Sequence, residues 1–241
     1  MLPASCRDET RTNEHDQQIG PAVPGWGPPP RPETGTITGD HCTLEPLTSA
    51  HADELFTEVG GQHNASLWTW LGQEPVTRVA PFAQYVAGRL DADTVEVVVR
   101  DDDGVACGIL SLMRIDPVNG CVEIGSVLLG PRLQRTTAAT EAMSLLARHV
   151  FDLGYRRCEW KCDALNAPSR RAAERLGFTY EGTFRRHVVT KGRSRDTAWF
   201  AMVVDDWPRI RAAHDAWLAP DNFHAGVHRR PLVDLLAEAG G

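Results

Sequence analysis

The feature that most restricts the fold is the run from Thr94 to Leu129. "TVEVVVR" (94–100), "VACGILSLMRI" (105–115) and "CVEIGSVLL" (121–129) are rich in β-branched and aliphatic residues. Only "DDDG" (101–104) and "DPVNG" (116–120) separate them. Asp-Gly takes up positive φ readily, so the first gap reads as a hairpin turn and the second as another turn. Three strands joined this closely predict an antiparallel meander.

The flanking segments predict what covers it. "HCTLEPL" (41–47) reads as a first strand. A helix is expected from Ser49, with Ala52, Leu55, Phe56 and Val59 on one stripe. "NASLWTWL" (64–71) reads as a short helix or turn, and a further helical pattern runs from Thr77 to Leu90. After the meander, "RTTAATEAMSLLARHVFDLGY" places Ala138, Ala142, Leu145, Leu146, His149 and Val150 on one helical face, with Gly154 as its stop. "YRRCEWKCDAL" (155–165) is a strand, "NAPSRRAAERLGF" (166–178) a helix ending at Gly177, and 178–204 a hairpin turning at Lys191-Gly192. "DDWPRIRAAHDAWL" (205–218) closes the series, with Pro at a helix start where its missing N–H costs nothing. The order predicts an α/β fold: a mixed, mostly antiparallel sheet of about seven strands with helices on both faces. Residues 1–38 hold "PAVPGWGPPPRPETG", too rich in Pro and Gly for a core, and read as an arm that Trp26 pins to the surface. Residues 39–220 form the domain, and 221–241 a tail or short helix.

Charge is unevenly distributed. The net charge is −7, which argues against nucleic acid as a partner. Yet residues 131–195 carry 14 Lys and Arg against 6 Asp and Glu. A basic segment inside an acidic chain suits a small polyanion. No apolar run approaches ~18 residues, so no membrane span is expected. The N-terminus lacks an apolar signal core. The six Cys, scattered or in strand patterns, read as free thiols of a cytoplasmic protein. Cys158 and Cys162 have no second pair nearby, so no metal is expected. Neither a Ser-His-Asp set nor a Gly-x-Gly-x-x-Gly loop can be assembled.

In "VLLGPRLQRTTAATEA" a strand stops at Gly130-Pro131 and a helix begins near Gln134 to Thr136. A helix start leaves about four N–H groups unpaired, and with the helix dipole they attract phosphate. Arg132 and Arg135 add charge, Thr136 and Thr137 add hydroxyls, and Ala138 and Ala139 allow close approach. A Thr-capped helix without a ligand is the plainer reading of the same residues.

"QRTTAA" (134–139) together with "ALNAPSRRAAERLGFTYEG" (164–182) resembles the GCN5-related N-acetyltransferase family, in particular its RimJ/RimL-like branch of ribosomal-protein N-terminal acetyltransferases. The resemblance spans residues 40–210. The family's pyrophosphate loop reads Gln/Arg-x-x-Gly-x-Gly/Ala; Gln134 and Ala139 match, while Thr137 stands where the first Gly is usual. The resemblance implies acetyl-CoA as acyl donor, a primary amine as acceptor (a protein N-terminus or a small molecule), direct attack, and no metal. It leaves a homodimer open. It assigns cofactor contacts to Gln134, Arg135, Thr136, Thr137, Ala138, Ala139, Asn166 and Ser169. It places the backbone donor for the reacting carbonyl near Leu128 or Leu129, on a bulged strand. Ser169 is then the acid for the departing thiolate, its alternative being a second helix-start donor.

Glu123 is the candidate base, acting through water, against a paired strand carboxylate. Trp68 and Trp70 are candidates for an acceptor wall, or core aromatics. Asp196 is a candidate for binding a cationic acceptor, or a partner of Arg193 or Arg195. Tyr180 and His149 read as packed residues. A longer acyl donor, or a non-catalytic acyl-CoA-binding module, are the competing readings.

Overall fold

A computed structural model describes residues 11–240; Cys6 lies outside them. The central sheet has eight strands: β1 (Ile37–Thr38), β2 (Thr43–Pro46), β3 (Val95–Arg100), β4 (Ala106–Asp116), β5 (Cys121–Leu129), β6 (Arg157–Asp163), β7 (Thr179–Thr190) and β8 (Arg193–Val203). Their spatial order is β1-β2-β3-β4-β5-β6-β8-β7. Every neighbouring pair is antiparallel except β5 and β6. The expected mixed sheet is therefore present, and the strand beyond the expected seven is the two-residue β1. The expected turns at 101–104 and 116–120 join β3 to β4 and β4 to β5.

The helices are α1 (Ala52–Val59), α2 (Val79–Leu90), α3 (Thr137–Asp152), α4 (Ala167–Arg175), α5 (Trp207–Leu218) and α6 (Leu232–Glu238). The segment Gln62–Trp68 is a 3₁₀ helix. The sheet divides the core in two. Val97, Val99, Leu110, Leu112, Val122 and Ile124 pack with α3, α4 and α5. Val98, Ile109 and Leu128 pack with α1 and α2.

Strand periodicity requires alternate residues to share a face, but Ile124 and Leu128 face opposite layers. The reason is a bulge. Between Ile109 and Ser111 of β4, β5 carries one extra residue, and Ser126 adopts φ +50°. One inserted residue reverses the facing of every side chain beyond it.

Trp26 docks on the β4–β5 turn. Its Nε1 donates to Val118 O at 3.1 Å, and its ring lies against Gly120 and the Arg156 guanidinium. The β7–β8 turn is tied to the opposite layer by Lys191 Nζ, which donates to Trp68 O at 2.7 Å.

Candidate active site

The site begins where the parallel pair comes apart. Registered pairing of β5 with β6 ends at Glu123 and Glu159. Beyond it the strands diverge, and each runs into a helix start: β5 into α3, β6 into α4. Two helix N-termini thus flank the carboxyl ends of two adjacent parallel strands, the usual ligand position in such sheets.

The ladder phase decides which amides face the opening. Gly130 N donates to Cys107 O at 2.8 Å. In an antiparallel ladder the bonding side alternates, so Leu128 and Gly130 turn their amides to β4. Leu129 and Val127 turn theirs away, toward the gap beside β6. The carbonyl of Leu129 confirms the phase, because it accepts from Gln134 Nε2 at 2.9 Å. Of the two expected strand residues, Leu129 therefore faces the gap, while the amide of Leu128 is engaged by β4 and its side chain is core. The geometry adds Val127. The isolated Gly125-Ser126 inside a strand pattern is the sequence signal for such a bulge.

At the start of α3, Arg135 adopts φ +64° and Thr136 is the N-cap, its Oγ1 accepting from Ala139 N at 3.1 Å. The N–H groups of Arg135, Thr137 and Ala138 donate to no backbone or side-chain acceptor among the described residues. Thr137 is half-buried, whereas Ala138 and Ala139 are buried on the inner face of α3. These free donors fit a pyrophosphate. The contribution expected of Arg132 needs correction: its guanidinium pairs with Asp101 and Asp103, both at 2.7 Å. Arg135 makes no ion pair among the described residues.

Across the gap, Asn166 caps α4, and its Oδ1 accepts from Ser169 N at 3.1 Å. The two N–H bonds of its amide remain free to donate. The Ser169 hydroxyl accepts from Trp160 Nε1 at 3.0 Å, and Trp160 is buried. That contact engages the oxygen as an acceptor and leaves the hydroxyl proton to be donated, with the Cys162 sulfur as its neighbour within the protein.

Glu123 sits at the apex of the gap, 4% exposed. Its Oε2 lies 2.8 Å from Arg114 Nη2 and 3.0 Å from Lys161 Nζ, both ionic contacts but not aligned as hydrogen bonds. Burial pushes its carboxyl up to about 8, opposed by Arg114 and Arg195 and assisted by Glu159. Arg114 and Lys161 also lie over the Trp199 ring, at 5.0 and 4.6 Å. On the α2 side of the bulge is a cleft of about 370 Å³, lined by Gln73, Tyr85, Met113 and Ser126 among others.

The remaining candidates separate. Trp68 is fully buried and donates to Val59 O at 2.8 Å. Trp70 is 39% exposed. Asp196 forms no ion pair with Arg193 or Arg195; its Oδ1 instead accepts from Arg186 N at 2.7 Å, where β7 bulges at φ +49°. Tyr180, expected in the core, is 45% exposed, because β7 is an edge strand. Its ring packs edge-on to Phe200 and beneath Arg170. The five described cysteines are free thiols. Among the described residues no group of His, Cys, Asp and Glu is arranged to hold a metal. No helix there is long and apolar enough to cross a membrane.

Comparison with known proteins agrees with this geometry. Residues 41–179 match the family model of the acetyltransferase (GNAT) domain. A GCN5-related N-acetyltransferase structure from Brucella melitensis is 44% identical, with a TM-score of 0.87 over 89% of this chain and 100% of that one. A probable acetyltransferase (GNAT family) from Chromobacterium violaceum is 38% identical, with a TM-score of 0.74 over 79% of this chain and 96% of that one. The putative ribosomal N-acetyltransferase YdaF of Bacillus subtilis is 29% identical over 169 residues, 68% of this chain and 90% of its own length. With a diverging parallel pair, a bulged strand and a family match across more than half its length, this chain belongs to the GNAT family of acetyltransferases.

Proposed function

We propose that this protein acetylates the α-amine of a protein N-terminus, as a member of the ribosomal branch, with acetyl-CoA as donor. The observation that carries the reading is the gap between β5 and β6. It is flanked by two helix starts, and two strand amides face it. Acetyl-CoA brings the activated thioester. The free amides at Arg135, Thr137 and Ala138 hold its pyrophosphate. Gln134 is held against Leu129, which keeps the loop closed on the strand end. Asn166 donates to the pantetheine arm, and the amides of Val127 and Leu129 bind the arm and the reacting carbonyl. Ser169 gives a hydrogen bond to the departing sulfur.

The choice of an α-amine rests on acid-base chemistry. An α-amine titrates near ~7.7–8.0, against ~10.4 for lysine, so it needs little help to lose its proton. Glu123, held between two cations, is a modest base acting through water. The likeness to YdaF, a putative ribosomal acetyltransferase, points the same way. The test is thiol release from acetyl-CoA with three acceptors: a free-N-terminal peptide, an N-blocked lysine peptide and a panel of small amines. Turnover of the first alone is expected. Preference for a small amine would replace the acceptor, and stoichiometric binding without turnover would replace the enzyme by a binding module.

Two substitutions divide the work of α4. Ser169→Ala is expected to lower kcat by ~100-fold, the scale of positioned proton transfer, with the Kd for acetyl-CoA within twofold. Asn166→Ala is expected to weaken acetyl-CoA binding and to lose ~1 kcal/mol of stability with the cap. Calorimetric titration, stopped-flow thiol release and thermal melts separate the two; identical effects on kcat and Kd would contradict the assignment.

Glu123 yields a pH prediction. Burial favours its protonated form, so it becomes a base only as pH rises through about 8. With an acceptor amine chosen to titrate well below 7, so that its own ionisation does not contribute, the rate should still climb through that range. In Glu123→Gln the climb should disappear, with a rate ~10–100-fold lower, at the lower end of general-base effects. A profile unchanged by the substitution would remove Glu123 as the base.

A further inference from the structure

Arg89, in the last turn of α2, is 8% exposed, and all five of its N–H donors are directed at named acceptors. Nε donates to Glu96 Oε2 at 2.9 Å, and Nη2 reaches the same oxygen. Nη2 also donates to Ser111 Oγ at 2.7 Å. Nη1 donates to Tyr85 Oη at 2.6 Å and to Ser126 Oγ at 3.0 Å. Ser111 also donates to Glu96 Oε2 at 2.9 Å, and Thr94 to its other oxygen at 2.7 Å. The guanidinium therefore ties α2 and β3 to β4 and β5, gripping β4 at Ser111 and β5 at the bulge residue Ser126.

What it holds is unusual. Ser126 sits at φ +50°, a region that a residue with a β-carbon leaves unless its surroundings over-determine it. Ser126 contributes the carbonyl, and Val127 the N–H, of a single peptide group. Any relaxation of Ser126 rotates the amide that faces the gap.

We propose that Arg89 is a positioning residue for acyl transfer: through Ser126 it locks the bulge of β5 so that the Val127 amide points at the thioester carbonyl. The proposal rests on the acetyl-CoA reading above. It assigns a role to a side chain that touches neither donor nor acceptor. The planar fork matters here, because lysine carries three donors on one nitrogen, against the five spread over three nitrogens that reach Glu96, Tyr85, Ser111 and Ser126.

The test is isotope-edited infrared spectroscopy of [1-¹³C]acetyl-CoA bound to the full chain, together with kinetics. In the wild type the carbonyl stretch is expected to shift to lower frequency on binding. In Ser126→Ala, which leaves the Arg89–Glu96 pair intact, the shift should largely vanish. There kcat should fall ~10-fold, and affinity for CoA without the acetyl group should stay within twofold. Arg89→Lys should reproduce this loss, and the double variant should be no worse than the more impaired single one. Ser126→Gly, which tolerates positive φ, should retain more activity than Ser126→Ala. A carbonyl shift and kcat unchanged in Ser126→Ala would overturn the proposal. A wild type that does not bind acetyl-CoA would instead overturn the reading beneath it.

Discussion

Thr137→Asp is expected to abolish acetyl-CoA binding while leaving the protein as stable as before, or slightly more so. Thr137 is the first residue of α3, half-buried, with its N–H free. A carboxylate at this position is favourable to the helix, worth ~0.3–1 kcal/mol against the dipole. To a pyrophosphate held on the same amides it is a like charge. At an effective dielectric of ~20 and a separation of ~5 Å, the repulsion is ~3 kcal/mol per phosphate charge, a loss of ~100-fold or more in Kd. Stability and binding thus move in opposite directions, a pattern that misfolding cannot imitate. Calorimetric titration beside a thermal melt measures both. Wild-type affinity in Thr137→Asp would mean that the donor's phosphates lie elsewhere, and the assigned loop would lose its role.

Trp68→Ala is expected to cost ~3–5 kcal/mol, the range for a large aromatic removed from a packed core. Trp68 is fully buried and meets Phe82 and Tyr85 edge to face, with ring centroids 6.3 and 5.0 Å away. Its loss also leaves the Val59 carbonyl without its indole donor. The backbone of Trp68 receives Lys191 Nζ from the β7–β8 turn, so the hairpin's anchor across the cleft loosens with it. Trp70→Ala is the control. At 39% exposure it should change stability by under ~0.5 kcal/mol, as surface substitutions do. If Trp70 walls the acceptor site, the KM for the acceptor should rise in that variant alone. Denaturant unfolding of both variants distinguishes them, and equal stabilities would contradict the core assignment of Trp68.

The elements with strong local signals were legible along the chain. The meander, the Thr136 and Asn166 caps and the turn at Lys191-Gly192 all depend on residues within a few positions of one another. Misreadings arose where the outcome depends on partners distant in sequence. Tyr180 alternates as a core residue would, but β7 lies at the edge of the sheet, where only the Arg170 guanidinium covers the ring and 45% of the residue stays exposed. Arg132 reads as charge for a phosphate until the β3–β4 turn brings Asp101 and Asp103 to it, 31 and 29 residues away in sequence. For Asp196, only the alternative of a partner in Arg193 or Arg195 fails, because the bulge in β7 presents its Oδ1 with the Arg186 amide.

The sequence by itself determined the fold class, the family and the two helix starts, because periodicity, capping and a contiguous motif are local properties. Only the tertiary structure decided which strand amides face the gap, because the phase of a ladder depends on the partner strand and on one extra residue at Ser126. It also decided that Arg89 grips that residue. Arg89 and Ser126 are 37 positions apart in sequence, and the folded sheet and α2 bring the guanidinium within hydrogen-bond reach of the bulge.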